Sequence, residues 1–142
     1  PPFLALFFPP SGCAVLRFIF ILVVGHYGCG GVKAAINDVS TGLTDNWLRH
    51  IQDIRDRHLD QLERIEDPSL RADRLCELNA MHQVVNVCQT SVLRDAWQRG
   101  QDVRVHGWCY SLHDGLVRDL GVTSRNREEA MDLYAEASTR PR

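Results

Sequence analysis

The chain has 142 residues, enough for one domain with a real core and too few for two. Its 16 Lys plus Arg stand against 18 Asp plus Glu, and a net charge of -2 gives nucleic acid or an anionic membrane no electrostatic reason to bind. Five cysteines, neither an even set nor a dense framework, point to reduced thiols in a cytoplasmic compartment rather than to disulfides.

Residues 3–8 are apolar, Pro9-Pro10-Ser11-Gly12 breaks the run, and 14–24 is apolar again except for Arg17. Neither run supplies the roughly 20 continuous apolar residues of a membrane span, and the second leads into the domain with no room for a signal cleavage site. Residues 1–20 are therefore set apart as an atypical amino-terminal segment, and 21–142 are read as the domain. Residues 21–24 are apolar and mostly β-branched without alternation, which predicts a strand buried on both faces of a parallel sheet.

Gly25 ends that run. Gly28, Gly30 and Gly31 allow backbone angles that a Cβ forbids, and 32–36 is helix-compatible, so a strand-loop-helix corner is expected, the place where open α/β sheets bind ligands. The corner presents His26 and Cys29, three apart, whose imidazole nitrogen and thiolate suit one tetrahedral metal such as zinc. The spacing alone is equally that of two unrelated residues.

Apolar residues at helical intervals predict an amphipathic helix over 46–65, with Trp47 on its apolar stripe, His50 and His58 in solvent, and Thr44 or Asp45 as its cap. Asp67-Pro68-Ser69 ends it, and 70–87 forms a helix with a wide apolar face, Leu75, Leu78, Met81, Val84, Val85 and Val87. A shorter helix over 90–99 stops at Gly100. Residues 103–108 then read as a strand, Asp114-Gly115 as a hairpin turn, and 116–120 as a second strand. A polar helix over 126–137 leads to a frayed end at Arg140-Pro141-Arg142. Cys76 and Cys88 fit buried positions. His106 and Cys109 repeat the three-residue spacing on a strand, where they point to opposite faces and cannot share a metal. The expected class is α/β, a mainly parallel sheet flanked by helices, with 21–24 and 103–108 as its central strands.

The string Gly25-His26-Tyr27-Gly28-Cys29-Gly30-Gly31 resembles the second zinc-binding motif of the β-class carbonic anhydrases, in which that His and Cys are metal ligands. The resemblance continues through Asn46-Trp47-Leu48, Leu75-Cys76-Glu77-Leu78-Asn79, Ala96-Trp97-Gln98-Arg99-Gly100, His106-Gly107-Trp108 with Tyr110, and Asp114-Gly115-Leu116. It implies zinc as cofactor, carbon dioxide and bicarbonate as ligands, reversible hydration as the reaction, and a homodimer or higher homo-oligomer. It implies His26 and Cys29 as metal ligands and the backbone at Gly30 as part of the substrate site. Tyr134, after Asn126-Arg127-Glu128, matches the tyrosine of a regulatory bicarbonate site found in some members, while a tyrosine merely packing its own helix is the favoured account.

The family also carries an upstream Cys-x-Asp-Ser-Arg motif that supplies a further zinc-binding Cys together with an Asp and an Arg. No such string occurs among the 142 residues, which begin Pro1-Pro2, so the expectation is a member lacking its amino-terminal part. Cys13 is the remaining thiol near the corner, but thirteen extended residues separate it from His26 by roughly 40 Å. Two readings follow: a zinc-dependent carbonic anhydrase, and a non-catalytic remnant that keeps a self-association surface on the wide apolar face of 70–87. A phosphate cradle at the glycine corner is a third, in which His26 and Cys29 have no role.

Overall fold

The computed structural model describes residues 20–40 and 42–140. In chain order they form β1 (Phe20–His26), α1 (Gly30–Ile36), a 3-10 turn (Gly42–Thr44), α2 (Asp45–Arg57), α3 (Leu59–Glu63), α4 (Pro68–Cys88), α5 (Ser91–Gln98), β2 (Arg104–Tyr110), β3 (Val117–Ser124) and α6 (Arg127–Thr139). This is the expected α/β arrangement of a sheet flanked by helices. The strands lie in the order β1-β2-β3; β1 runs parallel to β2, and β3 runs antiparallel to it. The strand expected over 103–108 is central, whereas β1 has one neighbour among the described residues. Cys13 and most of the amino-terminal segment lie outside those residues.

Parity along the strands decides which residues meet α4. Val23, Val105, Cys109 and Val122 are buried on one face, and Gly107 lies among them. A Cβ on Gly107 would stand 2.5 Å from Val122 and 2.9 Å from Val84 of α4, so the absence of a side chain there lets helix and sheet close up. The opposite face is more open, with Leu22 42% exposed. Burial of 21–24 on both faces is thus not observed, because an apolar run records compatibility with burial but not whether a second layer covers it.

α4 begins where Asp67 accepts hydrogen bonds from the Ser69 and Leu70 amides, with Pro68 in the first turn. Asp67-Pro68 therefore starts this helix as a cap rather than ending the previous one. Leu75, Leu78, Met81, Val84, Val85 and Val87 are all buried within the chain, against the sheet and the surrounding helices. The wide apolar face of 70–87 is thus already covered, and it does not require a second copy.

The helix expected over 46–65 is broken at His58, which adopts φ -115 and ψ 21 between α2 and α3. His50 is exposed as expected, but His58 is half-buried, with its Nε2 2.8 Å from Tyr134 Oη. Trp47 is 73% exposed, so the buried stripe consists of Ile51, Ile54 and Leu62 instead. Thr44 occupies the cap position, but its side chain does not cap the first-turn amides of α2.

After the turn at Asp114-Gly115, β3 is longer than the expected 116–120 and passes a bulge opposite His106 and Trp108. Asn126 caps α6 by accepting from the Glu129 amide, while Glu129 accepts in return from the Arg125 amide. Arg140 is tied in rather than frayed: its carbonyl accepts a hydrogen bond from Arg74.

Candidate metal centre

β1 ends at His26, and the Tyr27 amide continues the ladder by donating to the Tyr110 carbonyl at 2.9 Å. Gly28 then turns the chain at φ +71, a conformation open to glycine at little cost. Cys29, extended at φ -60 and ψ 122, caps α1, and its carbonyl accepts from the Lys33 amide. His26 and Cys29 thus flank a two-residue turn between a strand and a helix. Gly28 alone of the corner's later glycines has positive φ; Gly30 and Gly31 form the first turn of α1.

His26 is exposed and Cys29 half-buried, which leaves the corner open on one side. His26 Nδ1 lies 3.1 Å from the Tyr27 carbonyl; a proton on Nδ1 donated there leaves the Nε2 lone pair for a metal. Gly31 keeps the wall beside Cys29 thin, since a Cβ there would stand 3.4 Å from Leu48 and 3.8 Å from the Cys29 sulfur.

α4 backs the corner closely. A Cβ on Gly25 would lie 3.1 Å from the Ala80 Cβ, 3.4 Å from the Cys76 carbonyl oxygen and 3.7 Å from the Cys109 sulfur. Burial pushes the Cys76 thiol up to about 12, against the opposing effect of the Cys29 backbone amide beside it. Cys76, Cys88 and Cys109 are buried thiols, as expected for the first two. His106 and Cys109 do occupy opposite faces: the cysteine is buried against α4, while His106 Nδ1 lies 3.0 Å from Thr123 Oγ1.

Imidazole and thiolate are ligand types that zinc prefers. The fit is right in kind and short in number, because no three His, Cys, Asp or Glu side chains converge on a metal position among the described residues.

A family model described as carbonic anhydrase matches residues 11–117. The chain belongs to the β-class carbonic anhydrases. A carbonic anhydrase of Emericella nidulans is 39% identical over 107 residues, covering 75% of this chain and 47% of that relative. A Coccomyxa β-carbonic anhydrase solved in complex with acetazolamide superposes with a TM-score of 0.75 at 33% identity, covering 85% of this chain and 55% of that one. One of two tetrameric β-carbonic anhydrases of Sordaria macrospora gives a TM-score of 0.72 at 29% identity, covering 80% of this chain and 57% of its own. The chain spans about half the length of the curated relatives it matches.

A second group of side chains joins α4 to α6 and to the break between α2 and α3. Tyr134 of α6 is hydrogen-bonded to His58, and its ring packs edge-on against His82 at 5.4 Å between centroids. Burial lowers the pKa of both histidines. Arg74 and Arg57 lower His58 further, while Arg57 and then His58 act on His82. Burial raises the Tyr134 pKa against the opposing pull of the same two arginines.

Sequence reasoning missed the polar residues that brace the corner. Tyr27 Oη donates to Glu77 at 2.8 Å, and Glu77 pairs with Arg74 at 3.0 Å. The available signal was a pair of opposite charges three residues apart, Arg74 and Glu77, flanking the apolar Leu75 and Cys76 of α4.

Proposed function

We propose that this chain holds zinc through His26 Nε2 and the Cys29 thiolate and serves the reversible hydration of carbon dioxide to bicarbonate and a proton. The observation that carries the reading is the corner itself, which sets an exposed imidazole and a half-buried thiol on either side of one turn between β1 and α1. Bound zinc supplies Lewis acidity that brings the pKa of its water toward neutrality. His26 and Cys29 would orient the metal, and a Cβ on Gly30, at the start of α1, would meet nothing within 4 Å, which leaves room for a small anion beside that backbone. Residues 21–142 form the carbonic anhydrase domain in this reading, and residues 1–20 a separate appendage.

Tyr134, held by His58, is assigned the regulatory bicarbonate role by the same resemblance. The proposed compartment is the cytoplasm. The proposed assembly is a homodimer or higher homo-oligomer; the tetrameric Sordaria proteins support assembly, and exposed Phe20, Leu22 and Val117 on the uncovered sheet face offer a surface for it.

A second reading is favoured by the donor count: two recognisable ligands where a catalytic zinc site uses three. On that reading the 142-residue chain binds zinc weakly, hydrates carbon dioxide poorly and acts through self-association. Zinc stoichiometry and hydration rate, measured for the chain and for His26→Ala, separate the two. Near-stoichiometric zinc with brisk, His26-dependent turnover supports the enzyme. Substoichiometric zinc and a rate no faster than His26→Ala support the non-catalytic chain.

A further inference from the structure

The turn between the two candidate ligands is anchored by a residue that is not itself a ligand. Tyr27 stands between His26 and Cys29 in sequence, is buried, and is restrained in three directions. Its amide donates to the Tyr110 carbonyl of β2, its hydroxyl donates to Glu77 Oε1 at 2.8 Å, and the Arg118 guanidinium lies over its ring, 5.6 Å from the centroid. Arg118 is in turn paired with Asp114 of the hairpin turn at 2.5 Å.

Glu77 uses its second oxygen on Arg74 at 3.0 Å, and Arg74 Nη2 donates to the carbonyls of Ala137, Ser138 and Arg140 at 3.2, 3.1 and 3.0 Å. A continuous set of directed bonds therefore runs from the end of α6, through α4, to the ligand turn. The residues lie far apart in sequence, so local structure does not account for their meeting.

A buried ion pair is poor currency for stability, since apolar side chains of similar volume commonly serve as well or better. What an apolar pair cannot do is accept a hydrogen bond along a fixed direction. Glu77 offers one oxygen to each partner, and that geometry sets the azimuth of the Tyr27 side chain and with it the backbone on either side.

We propose that Tyr27 and Glu77, braced by Arg74 on the end of α6, are positioning residues that preset the separation and orientation of His26 and Cys29 for a metal ion. The inference rests on the metal reading above and adds the residues that make the corner competent. Neither side chain touches the metal. They act through the turn, as outer partners of metal ligands do, and loss of such partners typically costs about 10–100-fold in metal affinity.

Cobalt(II) tests this without recourse to activity, because a cobalt-thiolate band reports the Cys29 sulfur and the ligand field reports geometry. The full chain, His26→Ala, Tyr27→Phe, Glu77→Gln and the Tyr27→Phe/Glu77→Gln pair are titrated with cobalt, and thermal unfolding of each apo chain is followed in parallel. Tyr27→Phe keeps the ring beneath Arg118 and removes only the hydroxyl.

The expected result is a roughly tenfold loss of His26-dependent cobalt affinity in Tyr27→Phe with a shifted band. Glu77→Gln loses less, and the double variant binds no more weakly than Tyr27→Phe, since both changes break one link. A purely structural role lowers the unfolding midpoint and leaves affinity and band unchanged in the folded variants, and that outcome overturns the inference alone. Tyr27 and Glu77 variants that do not fold at all make these two residues supports of the whole fold, which also overturns it. A full chain whose cobalt binding is indifferent to His26→Ala overturns the metal reading and this inference together.

Discussion

Glu77 places one carboxylate oxygen on Tyr27 and the other on Arg74, and Arg74 places a further nitrogen on three carbonyls of the C-terminal helix end. Both charges are almost wholly removed from solvent, with Arg74 6% and Glu77 7% exposed. Farther along the same helix, His82 packs against Tyr134, and His58 reaches the tyrosine hydroxyl from the break between α2 and α3. There burial lowers the pKa of both imidazoles, and nearby cations act the same way, Arg74 and Arg57 on His58 and Arg57 on His82. One assembly meets burial by pairing opposite charges; the other meets it by giving up charge. Because the pKa values of both imidazoles are lowered, their protonation belongs on the acid side of 6.5.

The largest test of that contrast is Arg74→Met, which strands the Glu77 carboxylate in the interior. It should cost about 3–5 kcal/mol in urea unfolding, and Arg74→Met/Glu77→Leu should recover a substantial part of the loss. A single-variant cost below about 1 kcal/mol would mean that solvent reaches Glu77 and that the two assemblies do not differ in kind.

The histidine assembly predicts a pH dependence of defined sign. Folded-state values below the ordinary 6.5 mean that the unfolded chain takes up protons first as pH falls. Stability is therefore fully present above that value and is lost as the pH drops through it toward the folded-state values. Urea unfolding from about pH 8 to pH 5 should show this decline, and His58→Gln/His82→Gln should flatten it. An unchanged slope in the double variant would move the titrating groups elsewhere. Smallest in effect is Tyr134→Phe, which removes the His58 hydrogen bond and should lower stability by about 0.5–1.5 kcal/mol. A larger loss would show that the hydroxyl braces α6 as Glu77 braces the corner.

Much of the molecule was legible before any coordinates. The glycine corner, α5 with its stop at Gly100, the turn at Asp114-Gly115 and α6 follow from capping, turn and periodicity preferences that act over a few residues, and they stand close to where those preferences place them. His26 and Cys29 were legible for the same reason, since three positions and the intervening glycine fix that turn locally. Asp67 was misjudged by direction alone: the Asp-Pro pair expected to end one helix instead caps the next, and α3 has already ended at Glu63.

Tertiary structure decided which faces are covered and which polar groups meet. Nothing in 21–24 tells that Val23 is buried while Leu22 is 42% exposed, because that depends on α4 lying on one side of the sheet. Tyr27 and Glu77 are 50 positions apart, and His58 and Tyr134 are 76 apart. Local propensity carries no information about such pairs, since their bonds form only when the packing of α4 against the sheet and α6 excludes water from between them. The sequence by itself determined the turn between His26 and Cys29; the long-range packing decided which buried groups meet behind it.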